Sequence, residues 1–358
     1  PPDSLRSLVA LLPKVTSIQT ADQYRPINLM ETTHKLVAGL CTDRLRKVWP
    51  MARHQFGGVS GGQCLDCVWA AQSMVDSESV RKKPNIWLSL DIKGAFDHLF
   101  HARIAAFLAK NTPPSRAREA LCIYDLIHKQ LLSFKWQGYA WEVEVKRGVA
   151  QGGSHSAPVF AHVLNDIVAE VFQEWDTLFP ANRLGCWGWL YVDDLILRFQ
   201  TWDQAQKLFP ILVNKLTQEG LELSWQRCQL MSAAEVLRDG AAVDAASPLL
   251  RCTWGTSLRY LRKTLQHHGL AESPTEVLWD EVCKILYHKL GELTPVLKHC
   301  SWHGLRQACR IFTRYVSSSW LWLAPALEPL QKHLDRARIA QTTLVAQLLK
   351  LSLPQYLS

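Results

Sequence analysis

Apolar and polar positions partly alternate along Asn85–Asp91, with Ile86, Leu88, Leu90 and Ile92 on one side. That period of two predicts a strand with one buried face, and Asp91 falls on the other face near the strand's end. The run Trp187–Phe199 is apolar on both sides of two adjacent acids, Asp193 and Asp194. β-formers flanking a two-residue polar break predict a hairpin with the acids at its tip. Helical spacing predicts helices over 28–50, with Leu29, Leu36, Val37 and Leu40 as the apolar positions, and over 64–80, 101–110 and 116–133. Pro113-Pro114 separates the last two. A hairpin is expected over 134–150, feeding the glycines at 152–153, followed by a long helix over 156–178. Another helix should span 203–219 and end at Gly220 as a C-terminal cap. Strands are expected near 221–231 and 250–256, a turn at 238–244, and mostly helix from 275 onward. There are no internal repeats and no low-complexity tract.

At 358 residues the chain exceeds one small core, so two or three subdomains are expected. A net charge of +8 favours a polyanionic partner. Most of that surplus lies in 284–358, where ten Lys or Arg stand against three Asp or Glu. Arg306, Arg310 and Arg314 recur every four residues and would share one helix face, either a solvated face or a grip on nucleic-acid phosphates. No apolar run reaches the roughly 18 residues that span a membrane, and no signal peptide is evident. The chain opens on Pro1-Pro2, as a piece of a longer protein would. Ten scattered cysteines lack a disulfide-like framework and suit a reducing compartment. Cys64-Leu-Asp-Cys67 has no second pair to complete a four-ligand zinc site, so two small apolar helix residues are the better reading. His98 and His101 read as surface or packing residues.

Charge inside an apolar strand pair is costly unless it is paired or holds a metal. Two neighbouring carboxylates repel, and a divalent cation is the natural compensation. A strand-borne Asp91 beside a hairpin-borne Asp193-Asp194 would give the carboxylate cluster that two-metal phosphoryl transfer requires. Alone, Tyr191-Val-Asp-Asp194 also fits a surface turn.

The surrounding motifs resemble those of reverse transcriptases, nearest to the non-LTR (LINE-type) retrotransposon enzymes. Leu11-Leu-Pro-Lys14 and Tyr24-Arg-Pro-Ile-Asn-Leu29, then Lys35 and Arg44, look like the opening fingers motifs. Gln55-Phe-Gly57 with Gly61 looks like the next block, and Leu90-Asp-Ile-Lys-Gly-Ala-Phe-Asp97 like the first catalytic block. Gly148-Val-Ala-Gln-Gly152, with Ser156, Phe160 and Asn165, resembles the loop and helix that contact nucleotide and template. Tyr191–Asp194 is the second catalytic block; Gly220–Met231 and Arg259-Tyr-Leu261 resemble the last palm motifs.

The resemblance runs from about residue 8 to 265 and implies an α+β right-hand polymerase architecture. Its parts would be helical/β fingers, an antiparallel-sheet palm with packed helices, and a helical thumb. Residues 1–265 would be fingers and palm, and 266–358 a basic thumb-like region carrying Arg306, Arg310 and Arg314. The implied activity is RNA-directed DNA synthesis from dNTPs on a primer 3′-hydroxyl. Asp91, the Ile92 carbonyl, Asp193 and Asp194 would hold two Mg²⁺, with Mn²⁺ as a substitute. Lys14 and Arg25 would neutralise the triphosphate. Phe96 would lie beneath the sugar and exclude a 2′-hydroxyl, and Gln151 and Gly152 would line the nucleotide pocket.

Departures stand beside these matches. Val59 and Gly62 occupy the usual positions of two fingers arginines, and Ser224 and Arg227 replace Asn and Lys. Arg262 replaces the usual glycine after Tyr-Leu, and the proline after Gln151-Gly152 is displaced by one. Arg227 stands where a lysine would protonate pyrophosphate, and arginine is the poorer acid, so slower turnover is expected. Three readings remain: an active polymerase, a polymerase-fold relic that only binds nucleic acid, and an unrelated metal-dependent phosphotransferase or nuclease. RNA template, DNA primer or target DNA, and dNTPs are the implied partners, with no membrane. The expected location is intracellular, and nuclear for a eukaryotic host. Oligomeric state is not legible.

Overall fold

A computed structural model describes residues 6–14, 19–20, 23–136, 138–180, 186–239, 243–261 and 263–266, with a few isolated positions beyond. The chain divides into two compact units, 1–67 with 84–261, and 68–83 with 262–358.

The first unit opens with β1 (Arg6–Pro13) and β2 (Tyr24–Leu29), then α1 (Thr32–Arg46) and the first turn of α2 (Cys64–Val80). After β3 (Ile86–Asp91) come α3 (Ala95–His98), α4 (His101–Asn111), α5 (Ala117–His128), β4 (Leu131–Trp136) and β5 (Tyr139–Glu144). The long α6 (Ser156–Leu178) precedes β6 (Gly188–Tyr191), β7 (Asp194–Phe199) and α7 (Trp202–Gln218). The unit closes with β8 (Gln229–Met231), α8 (Ala234–Asp239), β9 (Thr253–Gly255) and β10 (Ser257–Tyr260).

Two sheets organise these elements. One has the order β2-β1-β4-β5 and the other β6-β7-β3-β8-β9. In the second sheet β3 runs antiparallel to both neighbours, Leu88 opposite Leu197 and Leu230. The central strand is buried on both sides: Ile86, Leu88 and Leu90 join the main core, and Trp87 meets Trp189 edge-on at 6.2 Å. The core continues through Phe160, Leu164, Ile167 and Trp175 of α6 and Leu208, Phe209 and Leu212 of α7.

Behind this layer an ion network ties three helices. Arg103 of α4 reaches Asp166 and Glu170 of α6 at 2.8 Å each, and Glu219 after α7 at 3.8 Å. Lys215 of α7 holds Glu170 at 3.0 Å and Glu219 at 3.5 Å, and Lys110 reaches Asp166 at 3.1 Å. Burial pushes the Glu170 carboxyl up, yet Arg103 and Lys215 together hold it below the usual range.

Several expected elements shift. The helix expected from residue 28 starts at Thr32, because Tyr24–Leu29 pairs with β1. Its buried residues are Ala38, Thr42 and Leu45, whereas Leu36, Val37 and Leu40 are exposed, so the periodicity gave the helix but the wrong face. The helix expected over 116–133 ends at His128, since Leu131 onward is drawn into pairing with β1 and β5. Of 221–231 only Gln229–Met231 is strand; a 3-10 turn, Trp225–Arg227, interrupts it. A second 3-10 turn, Pro248–Arg251, takes the start of the strand expected at 250–256.

The second unit is described only in part. It contains α2 from Val68 onward and β11 (Lys263–Gln266), where burial pulls the Lys263 ammonium down to about 8 against the opposing pull of Asp76. Arg306, Arg310 and Arg314 lie outside the described residues, as does the helix expected from 275.

Candidate active site

The register of the second sheet brings the acids together. Asp91, last residue of β3, is the direct partner of Asp194, first residue of β7. Residues opposite one another on antiparallel strands carry their side chains on the same face, with Cβ atoms about 5 Å apart. Asp193 stands in the adjoining two-residue turn, preceded by Val192. Burial raises the Asp193 carboxyl above its usual range, with Asp91 adding to the shift and Arg25 opposing it. Asp194 is pushed up to about 7, first by burial and then by Asp193 and Asp91. Carboxyls are raised in this way when they are buried beside one another without enough cations. Among the described residues, no three His, Cys, Asp or Glu side chains close into a ready-made metal-binding group. The acids are neighbours with oxygen donors only, which suits Mg²⁺ when substrate phosphates supply further ligands.

Positive groups approach from two sides. Arg227, in the 3-10 turn before β8, sets Nη1 3.6 Å from Asp91 Oδ2 and remains largely exposed. Its turn is anchored to β3, since Ser224 N donates to Asp91 O (2.8 Å) and Lys93 N donates to Glu222 O (2.7 Å). Arg25 sits at the open end of the β1–β2 pair, where Leu12 opposes it. Lys14 is at the same end, its backbone N donating to Gln23 O at 2.8 Å.

The residues of the 148–152 loop gather beside β3's exit. Val149 N donates to Phe96 O (2.6 Å), and Gly148 N to Leu99 O (2.7 Å). Phe96 is half-buried and stacks on Phe160 of α6 at 4.6 Å. Gln151 places Nε2 3.3 Å from both Asp97 carboxylate oxygens. Gly152 has φ +115, and a Cβ there would fall 2.5 Å from Asn28 O, so a side chain is excluded by both conformation and space. Asn28 N donates to Gln151 O at 2.6 Å, fastening the loop to β2. His101 Nε2 meets Gly148 O at 2.9 Å, a packing contact at the loop's start.

Sequence reasoning gave Asn28, Asp97 and Gln55 no role, although all three stand within quoted motifs. Cys67 lies behind the hairpin, its thiol pushed up to about 12 by burial and its Sγ 3.9 Å from Leu190 O. A buried, protonated thiol is a packing group.

A sheet antiparallel but for its last pair, β8 with β9, backed by long helices and with acids at the ends of two adjacent central strands, is the arrangement of a nucleic-acid polymerase palm. The chain belongs to the reverse transcriptase (RNA-dependent DNA polymerase) family, whose model matches residues 12–269. It is 22% identical over 229 residues to a retrovirus-related Pol polyprotein from the type-1 retrotransposable element R2 of Nasonia vitripennis. That match takes in 64% of this chain and 22% of the polyprotein, so the chain spans under a quarter of that relative. In fold it is similar to the apo telomerase of Candida tropicalis, with a TM-score of 0.52 and 12% identity over 96% of this chain and 62% of that one. It is also similar to the telomerase of Candida albicans bound to a fragment of telomeric RNA, at TM-score 0.50 and 14% identity over 98% and 62%. The family is one of nucleic-acid-binding polymerases that use divalent metal. Among the described residues no helix is long and apolar enough to cross a membrane.

Proposed function

We propose that this chain is the polymerase core of a retrotransposon-like element, copying an RNA template into DNA from a primer 3′-hydroxyl. The carrying observation is the cross-strand pair Asp91–Asp194 with Asp193 in the adjoining turn, where burial and mutual repulsion raise the carboxyls of Asp193 and Asp194. Asp91, Asp193 and the Ile92 carbonyl would hold two Mg²⁺, with Mn²⁺ as a substitute, and Asp194 would ligate less directly while shaping the hairpin. Bound metal would acidify the primer hydroxyl and neutralise the triphosphate.

The remaining steps belong to side chains. Arg25 and Lys14 draw in the triphosphate; Arg25 already acts on Asp193 electrostatically. Phe96, held by its stack on Phe160, presents a ring that leaves no room for a 2′-hydroxyl, selecting deoxynucleotides. Gln151 and the bare backbone of Gly152 line the pocket. Arg227 stands near the leaving pyrophosphate as a charge partner and a weak proton donor. Arg306, Arg310 and Arg314 would grip the template–primer phosphates in a thumb spanning 266–358. RNA template, DNA primer or nicked target DNA, and dNTPs are the substrates, and in a eukaryotic host the work is nuclear.

Val59 and Gly62, in place of fingers arginines, favour a second reading: a relic that binds nucleic acid without catalysis. Primer extension on RNA with dNTPs and Mg²⁺, beside Asp193→Asn, separates the two. Extension that vanishes in Asp193→Asn is expected. Tight template–primer binding without extension by the unaltered chain selects the relic.

A further inference from the structure

Gln55-Phe56-Gly57 has no part in the chemistry above, yet it lies against the catalytic turn. Residues 54–56 run beside β6 like a short extra strand. Gln55 bridges Leu190 in parallel, Leu190 N donates to His54 O (2.6 Å), and Phe56 N donates to Leu190 O (2.9 Å). From there the Gln55 side chain, 3% exposed, turns onto Val192 and takes both of its peptide groups. Gln55 Oε1 accepts from Val192 N at 2.8 Å, and Gln55 Nε2 donates to Val192 O at 2.9 Å. The same Oε1 accepts from Gly57 N at 2.9 Å, and two N–H donors on one atom leave the amide a single orientation.

Val192 needs such a hold. Its φ is +59, the left-handed region that β-branched residues rarely enter without support from outside. It also stands directly before Asp193, so its peptide sets where both acids start. Gly57 allows the approach, since a Cβ there would fall 2.5 Å from Val192 N. At the far end, Asn165 of α6 accepts from His54 N through Oδ1 at 3.0 Å. The helix that follows the nucleotide loop is thereby tied to the segment that grips the catalytic turn.

We infer that Gln55 is a positioning residue whose amide holds the Val192 peptide in its left-handed conformation, and thereby holds Asp193 and Asp194 in place, with Asn165 anchoring the same segment. Its consequence for catalysis rests on the polymerase reading; the grip itself does not. A merely structural glutamine would lower stability and leave turnover per folded molecule alone.

The test is a double-mutant cycle on the full chain. Gln55→Met keeps side-chain length and removes every hydrogen bond. Val192→Gly accepts φ +59 without help. Gln55→Met is expected to lower kcat for nucleotide addition on the order of tenfold or more, as small misplacements of reacting groups do, with the KM for dNTP changed less than about twofold. In the Val192→Gly background the same replacement should cost at least about threefold less. An unchanged kcat, or an equal loss in both backgrounds, would overturn the inference. Should Gln55→Met not fold, Asn165→Ala loosens the segment from its other end and is judged by the same two criteria. Should the unaltered chain not extend primers, the polymerase reading fails and thermal unfolding decides the grip instead. A smaller loss of melting temperature from Gln55→Met in the glycine background supports it, and equal losses sink it.

Discussion

Two clusters of acids sit on opposite sides of the same palm, and their chemistry runs in opposite directions. Behind the sheet, Asp166, Glu170 and Glu219 share Arg103, Lys110 and Lys215, and Glu170 is held more acidic than usual. In front, Asp91, Asp193 and Asp194 have among the described residues only Arg25 and Arg227 nearby, and Asp194 is pushed up to about 7. Burial acts against charge in both places. What differs is whether the fold supplies cations or leaves that to something it binds. The network behind the sheet is paired with cations from the fold itself, whereas the front cluster depends, on the proposed function, on bound metal.

The sharpest way to break this contrast is to neutralise one acid in front. Asp193→Asn should lower primer extension by about 10³-fold or more while leaving the fold as stable or slightly more so. The gain would be about 0.2–1 kcal/mol, because the Asp193 carboxylate is repelled by those of Asp91 and Asp194. A matching loss of melting temperature would mean that the front cluster is structural after all. Behind the sheet the pattern should invert. Arg103→Met leaves the partly buried Asp166 and Glu170 to Lys110 and Lys215 alone and should cost about 2–3 kcal/mol in denaturant unfolding, with little change in turnover per folded molecule.

His155 offers a third kind of buried polar group, compensated by nothing. Neither ring nitrogen has a hydrogen-bond partner, and burial lowers its pKa from 6.5 to about 4. Between those values the unfolded chain takes up a proton that the folded chain refuses. Stability should therefore be intact above pH 6.5 and fall as pH drops toward 4, by about 3 kcal/mol from this residue. Unfolding midpoints across that window should flatten in His155→Leu; an unchanged slope would assign the acid sensitivity elsewhere. The smallest effect concerns Arg227. Arg227→Lys should raise the extension rate on the order of threefold, well short of the roughly 10²-fold that an effective general acid supplies. No gain would remove Arg227 from the proton-donor role.

Much of the site was legible because its residues sit where local patterns are strong. The apolar run around Asp193-Asp194 announced a hairpin, though its tip is Val192-Asp193 and Asp194 already belongs to β7, and partial alternation placed Asp91 away from the Ile86–Leu90 face. What could not be read was register: that Asp91 and Asp194 are direct partners depends on pairing across about a hundred residues. α1 shows the converse failure. Its exposed Leu36 and Leu40 look like a core face, and only the packing of small Ala38 and Thr42 inward reveals the true one. Gln55 was visible as part of a motif, but nothing in its sequence neighbours says that its amide reaches Val192.

The central position of β3 has a consequence for biosynthesis. Its partners β7 and β8 follow it by about a hundred and about a hundred and forty residues. At roughly 5–20 residues per second, an apolar strand with two unsatisfied edges waits several seconds or longer at the ribosome before either neighbour exists. Strands in that condition are prone to pair with the wrong chain. The strand that carries the first acid is thus the one whose nascent form most needs shielding by a chaperone, and its yield on overexpression should respond to chaperone supply more than to any change at the acids.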